Sequence, residues 1–220
     1  MSLATLRERL IDHLEPAAHW APDRAAARSD FDLNPDAERP ARSLRPAAVL
    51  IPVIAGPDGA RVLMTRRSDS LASHTGQIAF PGGRLDPGET AVEAALREAW
   101  EEVALDPAVV EVLGMGDAYE TGTGFLVTPV VGWLTTTPAT TPSLDEVAEV
   151  FETPWDFLMD PTNHRRDFYD PESGPRRWFW AMPWQERYIW GATASIVRAL
   201  RTRLYGDETE PAAAVDEDAA

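Results

Sequence analysis

The feature that most constrains this chain is the run 63–105, in which an extended segment passes through Phe80-Pro81-Gly82-Gly83 and enters a stretch carrying Glu98, Glu101 and Glu102. Val92, Ala95, Leu96, Ala99 and Val103 recur at three- and four-residue spacing, which predicts a helix with those residues facing the core. Glu98 and Glu102 are then one turn apart with Glu101 beside them, and like charges at that spacing repel. Such crowding calls for a positive partner. One candidate is a divalent cation such as Mg²⁺, since hard ions take carboxylate oxygens and share them with substrate phosphates and water. The other is Arg97, whose guanidinium can fix a carboxylate in place. Upstream, Gly82, Gly83 and Gly88 allow sharp turns and close approach of backbone to a ligand. Glu89 stands at the start of the helix, and Thr90 is placed to cap it. In a chain with 36 acidic residues a glutamate-rich helix is also the pattern of a solvated face, and the carboxylates alone do not exclude that reading.

The spacing narrows the choice. Gly83, five residues, Glu89, seven residues and then Arg97-Glu98-Ala99-Trp100-Glu101-Glu102-Val103-Ala104-Leu105 resembles the Nudix box of the Nudix hydrolases. The family usually has glycine where this chain has Ala104, which leaves the backbone angle there open. Leu63, Thr65, Arg67, Ser68, Gly76, Phe80, Pro81, Gly82 and Gly83 further resemble the additional motif of the coenzyme A pyrophosphatase branch. Ala72 stands where one form of that motif has arginine, and His74 is a candidate to replace its phosphate contact.

This resemblance spans roughly residues 45–200 and implies an α/β fold, the Nudix α/β/α sandwich with a mixed β-sheet. It implies metal-dependent hydrolysis of a diphosphate, in which Mg²⁺ or Mn²⁺ neutralises phosphate charge and acidifies the attacking water. Glu98 and Glu102 are the expected ligands, Glu101 is a third ligand or the base, and Arg97 positions a carboxylate. Substrate contacts fall to Arg66, Arg67, Ser68, Gly76, Gly82 and Gly83. The implied substrate is coenzyme A or a derivative, cleaved to adenosine 3′,5′-bisphosphate and 4′-phosphopantetheine. Two alternatives stay open: another nucleoside diphosphate compound such as ADP-ribose, and a nucleotide-binding sensor without catalysis.

Composition bounds the setting. A length of 220 residues suits one domain with extensions, and a formal net charge of −16 argues against nucleic acid and anionic membranes as partners. There is neither an apolar run near the roughly 20 residues that span a bilayer nor a signal pattern at the N-terminus, so a cytoplasmic protein is expected. With no cysteine, thiolate metal sites are excluded. Every basic residue is arginine, so any cationic side chain on a phosphate must be Arg. A homodimer is left open.

In chain order, an N-terminal helix and extended arm fill 1–44, the catalytic domain 45–205, and an acidic tail expected to be disordered 206–220. Leu3, Leu6, Leu10 and Leu14 mark the helix. Strands are expected over 47–55 and 61–65 around a turn at 56–59. Further strands are expected over 109–113 and 124–134, with the glycine-rich loop 119–124 either reaching a ligand or merely connecting a hairpin. A surface loop covers 135–143 and a half-buried strand 145–152, from which Glu146 or Glu149 could add a carboxylate to the cluster. A short helix starts at 154. The arginine and aromatic residues of 165–180 suit strand packing, or else stacking on adenine, and a final helix is expected over 188–204.

Overall fold

Side-chain alternation along one long strand, Arg45–Gly56, sets the layers. Ala47, Ile51 and Val53 point into one core, whereas Ala48, Leu50 and Ile54 point into another, as the two-residue period of a pleated strand requires. The computed structural model describes residues 1–68, 76–172 and 174–206. Its strands are β1 Arg28–Ser29, β2 Arg45–Gly56, β3 Gly59–Arg67, β4 Ile78–Ala79, β5 Gly82–Arg84, β6 Glu111–Met115, β7 Tyr119–Glu120, β8 Phe125–Leu134, β9 Val147–Pro154, β10 Arg165–Tyr169, β11 Arg177–Trp184 and β12 Arg187–Trp190. The helices are α1 Leu3–His13, α2 Ala91–Val103, α3 Trp155–Met159 and α4 Ala192–Tyr205.

Among the described residues the main sheet runs β1-β7-β8-β2-β3-β4, with β5 paired to β2, β6 to β8 and β9 to β3. β2 and β8 run parallel from Arg45↔Phe125 to Ile54↔Leu134, while β3, β5 and β9 join antiparallel, so the sheet is mixed. Helix α2 covers one face, packing its alanines against Ala48, Leu50 and Leu63. The other face is covered by α1, α3 and α4 through Leu6, Leu10, Trp155, Leu158, Ile196 and Leu200. Full burial of each leucine stabilises this layer by roughly 1.5–3 kcal/mol. The expected α/β/α sandwich is therefore present. A second sheet, β10-β11-β12, is antiparallel and adds Trp180, Met182 and Ile189 to the α4 side of the core.

Several boundaries differ from expectation. The strand expected over 109–113 is displaced, because Asp106 caps a 3₁₀ turn at Pro107–Val109 and β6 starts only at Glu111. Residues 188–190 belong to strand β12, and Gly191 (φ 64°) breaks the backbone before the last helix begins at Ala192. Of the expected loop 119–124, Tyr119–Glu120 form strand β7, and residues 121–124 are the hairpin connection to β8. The arm is irregular but anchored: Glu15 and Met115 exchange backbone hydrogen bonds, and β1 pairs in parallel with β7. His74 and the acidic tail past Gly206 lie outside the described residues.

Candidate active site

Helix α2 starts on a capping box: the Thr90 hydroxyl accepts from Glu93 N–H at 3.3 Å, and the Glu93 carboxylate accepts from Thr90 N–H at 2.8 Å. Its buried face differs in rotation from the expected stripe. Ala91, Ala94, Ala95, Ala99 and Val103 are fully buried, whereas Val92 and Leu96 are half-buried along its side. Four small side chains let the helix lie close to the sheet, and this rotation carries Glu102 inward until it is only 5% exposed.

Arg97 gathers the acidic groups around it. Its Nε and one terminal nitrogen donate to both oxygens of Glu89 at 2.8 and 3.0 Å; the other terminal nitrogen donates to Glu98 at 2.9 Å and Glu101 at 3.1 Å. A further bond reaches the Arg84 carbonyl at 3.0 Å. The bidentate bond holds the Glu89 carboxyl below its usual range and raises the guanidinium still higher. That Glu89 is the principal anchor of Arg97 was not read from the sequence. The signal was there in the acid eight positions upstream, just before the helix begins.

Glycines bring two carboxylates against the sheet. A Cβ on Gly83 would stand 2.3 Å from Glu98 Oε1, so Glu98 occupies the space that a side chain there would fill. Gly82 packs just as closely on β2, where a Cβ would meet the Ala48 carbonyl oxygen at 2.4 Å; its N–H donates to Glu102 at 3.3 Å. Of Gly82, Gly83 and Gly88, it is Gly88 that lies in the left-handed region, at φ 85°. Burial pushes Glu98 up, opposed by Arg97. Burial also pushes Glu102 up to about 8, against the pull of the Gly82 N–H and with Glu98 adding repulsion.

The arginines of β3 divide. Arg66 lies 3.8 Å from Glu149, which also pairs with Arg187. Arg67 has no side-chain hydrogen bond or ion pair among the described residues; its Nε is buried without a partner, and its charge acts on Glu102. Ser68 is buried and donates its N–H to the Glu146 carbonyl, while Gly76 turns the chain at φ 70°. Glu146 adds its charge to both Glu98 and Glu102, and Glu149 is committed to its arginines.

This donor set fits a divalent cation. Glu102 is buried with one long hydrogen bond and no arginine contact, which leaves its oxygens the capacity to take an ion. No closed cage of three His, Asp or Glu groups exists among the described residues. An Mg²⁺-type ion, held by one or two carboxylates and otherwise by water and substrate phosphates, requires none. Beside Glu98 opens a cleft of about 710 Å³, bounded by Arg84, Asp86, Arg97 and, from the arm, Trp20 and Pro22. Among the described residues no helix is long and apolar enough to cross a membrane.

Comparison with known proteins agrees with this architecture. Residues 44–170 match the NUDIX domain family. A Pectobacterium atrosepticum protein named Uncharacterized Nudix hydrolase NudL is 40% identical over 190 residues, covering 83% of this chain and 97% of that relative. The Escherichia coli K12 protein of the same name is 42% identical over 175 residues, 78% of this chain and 89% of its own length. Among solved structures, a C. elegans Ap4A hydrolase binary complex aligns at TM-score 0.45 with 20% identity, covering 50% of this chain and 80% of that one. The M. smegmatis Nudix hydrolase RenU aligns at 0.43 with 25% identity, covering 54% and 76%. The structural likenesses are loose and the sequence match carries the assignment: this chain belongs to the Nudix family and is a pyrophosphohydrolase.

Proposed function

We propose that this enzyme hydrolyses the diphosphate bond of coenzyme A or its derivatives, giving adenosine 3′,5′-bisphosphate and 4′-phosphopantetheine. The observation that carries this reading is Arg67, a guanidinium with no described partner whose charge reaches the buried Glu102. It belongs to the run from Leu63 to Gly83 that resembles the coenzyme A branch, and that run lies in β3, β4 and β5 beside the carboxylate helix. A guanidinium left unpaired at a carboxylate site has a use when a phosphate arrives.

In this reading each residue has a separate task. Glu98 and Glu102 hold the cation, of the Mg²⁺ or Mn²⁺ type that Nudix hydrolases generally use. When bound, it neutralises phosphate charge and lowers the pKa of water. Arg97 keeps Glu98 and Glu101 from drifting apart, and Glu89 keeps Arg97 in place. Hydrolysis joins the oxygen of water to one phosphorus, and the bridging oxygen departs with the other phosphate. Glu101 takes the proton from that water. Its side chain is 53% exposed, the most open of the three glutamates, and a single bond to Arg97 orients it. Arg67 and Arg66 meet substrate phosphates from β3, with Ser68, Gly76, Gly82 and Gly83 shaping the approach. The catalytic domain is residues 45–205, acting in the cytoplasm.

Product analysis by mass spectrometry tests the substrate: purified protein with coenzyme A and Mg²⁺ or Mn²⁺, beside ADP-ribose, with Glu102→Gln as control. The two named products, abolished in the control, are expected. Turnover of ADP-ribose alone would overturn the substrate and keep the site. Cleavage of neither compound would overturn both as substrates and point to another nucleoside diphosphate compound.

A further inference from the structure

The arm that precedes the catalytic domain supplies part of the lining of the cleft beside Glu98, through Trp20 and Pro22. Trp20 closes a 3₁₀ turn at Ala17–His19 and packs, half-buried, against the core beneath α2. The turn is fixed on both sides. Before it, Glu15 exchanges backbone bonds with Met115 at 2.9 and 2.8 Å; after it, Arg24 pairs with Glu15 at 2.6 Å, and Ala27 donates to the Ala118 carbonyl at 2.9 Å. The indole is thus held in place rather than carried on a free loop.

The same cleft is lined by Pro46, Leu85 and Arg84, an exposed residue with no carboxylate partner among the described residues. The other cation of the cleft, Arg97, is already shared among Glu89, Glu98 and Glu101. Asp86 lies 3.9 Å from Arg97 on the rim. The cleft therefore offers a preformed aromatic surface, an apolar floor and one uncommitted positive charge, bordering a carboxylate of the reaction centre. A volume of about 710 Å³ suits a ligand of nucleotide size.

We propose that Trp20 and Arg84 form the nucleotide-recognition subsite of this enzyme, Trp20 stacking on the base and Arg84 receiving a phosphate of the nucleotide half of the substrate. This rests on the coenzyme A reading and deepens it. The two halves of that substrate differ in what they need. The pantetheine arm is flexible, amide-bearing and uncharged beyond its phosphate, and it has no use for a π surface. A purine with a ribose phosphate uses both features, because bases stack on aromatic rings whatever their sequence and guanidinium groups pair with phosphate. The arm thereby becomes part of the specificity machinery.

Calorimetric titration with each half of the substrate separates the possibilities. Adenosine 3′,5′-bisphosphate and 4′-phosphopantetheine are titrated into the full chain and into Trp20→Ala, Trp20→Phe and Arg84→Gln, each checked for its thermal midpoint. Expected is a loss of about tenfold or more in affinity for the nucleotide in Trp20→Ala. A comparable loss is expected in Arg84→Gln and near-parental binding in Trp20→Phe, with phosphopantetheine unchanged throughout. KM for coenzyme A rises in step, and kcat holds. If the parent binds both halves and no variant alters the nucleotide, or if only phosphopantetheine weakens, the subsite is wrong and the substrate stands. A parent that neither binds the two halves nor cleaves coenzyme A overturns the substrate, and this subsite with it; where coenzyme A is cleaved, an unchanged KM in Trp20→Ala and Arg84→Gln overturns the subsite alone.

Discussion

Gly83 and Glu98 share one space: the position of a Cβ on the glycine lies 2.3 Å from a carboxylate oxygen of the glutamate. The neighbouring Gly82 meets backbone instead, at the Ala48 oxygen and the Val49 Cα. The same substitution at the two sites should fail in different ways. In Gly83→Ala the obstacle is the end of a flexible side chain, so the protein folds and Glu98 swings aside. Since a misplacement of about 1 Å at a reacting centre can cost roughly 100-fold in rate, kcat/KM should drop about that much with little change in melting temperature. In Gly82→Ala two strands must separate, and stability should fall by about 1–3 kcal/mol or more. Paired melting curves and steady-state kinetics decide it; a fully active Gly83→Ala would remove the positional role of that contact.

The division between the β3 arginines gives a second contrast. Arg66 is engaged with Glu149, whereas Arg67 lacks a described partner. Arg67→Ala should raise KM for coenzyme A about tenfold or more, as expected for a lost charge-assisted phosphate contact of about 1.5–3 kcal/mol. Arg66→Ala should act more weakly. Equal effects, or none in the double variant, would remove both from the phosphate site.

What the sequence made legible was local. The capping role of Thr90, the proximity of Glu98, Glu101 and Glu102, and the attachment of Arg97 all follow from spacing within a few helical turns, where geometry is set by 3.6 residues per turn. Readings failed where partners are distant. Val92 and Leu96 are more apolar than Ala91 and Ala94, yet the sheet selects the alanines because they permit closer approach. Residues 188–190 carry Tyr, Ile and Trp, and their strand exists because Ala181 to Pro183 lie beside them. Trp20 sits in an arm without periodicity, and its position depends on Met115 and Ala118, nearly a hundred residues away.

Ala104 is the departure from the family pattern that the backbone makes measurable. It adopts φ 55° and ψ 32°, and its N–H and that of Leu105 close the end of α2 onto Trp100 and Ala99. This left-handed position strains any residue with a Cβ, and glycine is the usual occupant. Ala104→Gly should therefore stabilise the enzyme by about 0.5–1 kcal/mol, after the greater freedom of glycine in the unfolded chain is subtracted. A rise of roughly 1–4 °C in melting temperature is expected, and a fall would show that the strain is relieved elsewhere.

The buried His164 gives stability a pH dependence of known sign. The ring is fully buried; Nε2 donates to the Leu158 carbonyl at 2.7 Å, and Nδ1 has no partner among the described residues. Burial, aided by Arg198 and Arg201 of α4 and opposed by the Leu158 carbonyl and Asp160, holds its pKa below the usual histidine range. Between the lowered folded value and an unfolded value near 6.5 the unfolded chain binds the extra proton, so stability falls as pH drops through that window and is flat above it. In His164→Gln an amide can still donate to Leu158 while nothing titrates there. The variant should be less stable than the parent at pH 7.5, and it should lose less of its stability on going to pH 5. Melting temperatures of both proteins across that range measure the difference, and parallel curves would mean that His164 keeps its neutral form without cost to the fold.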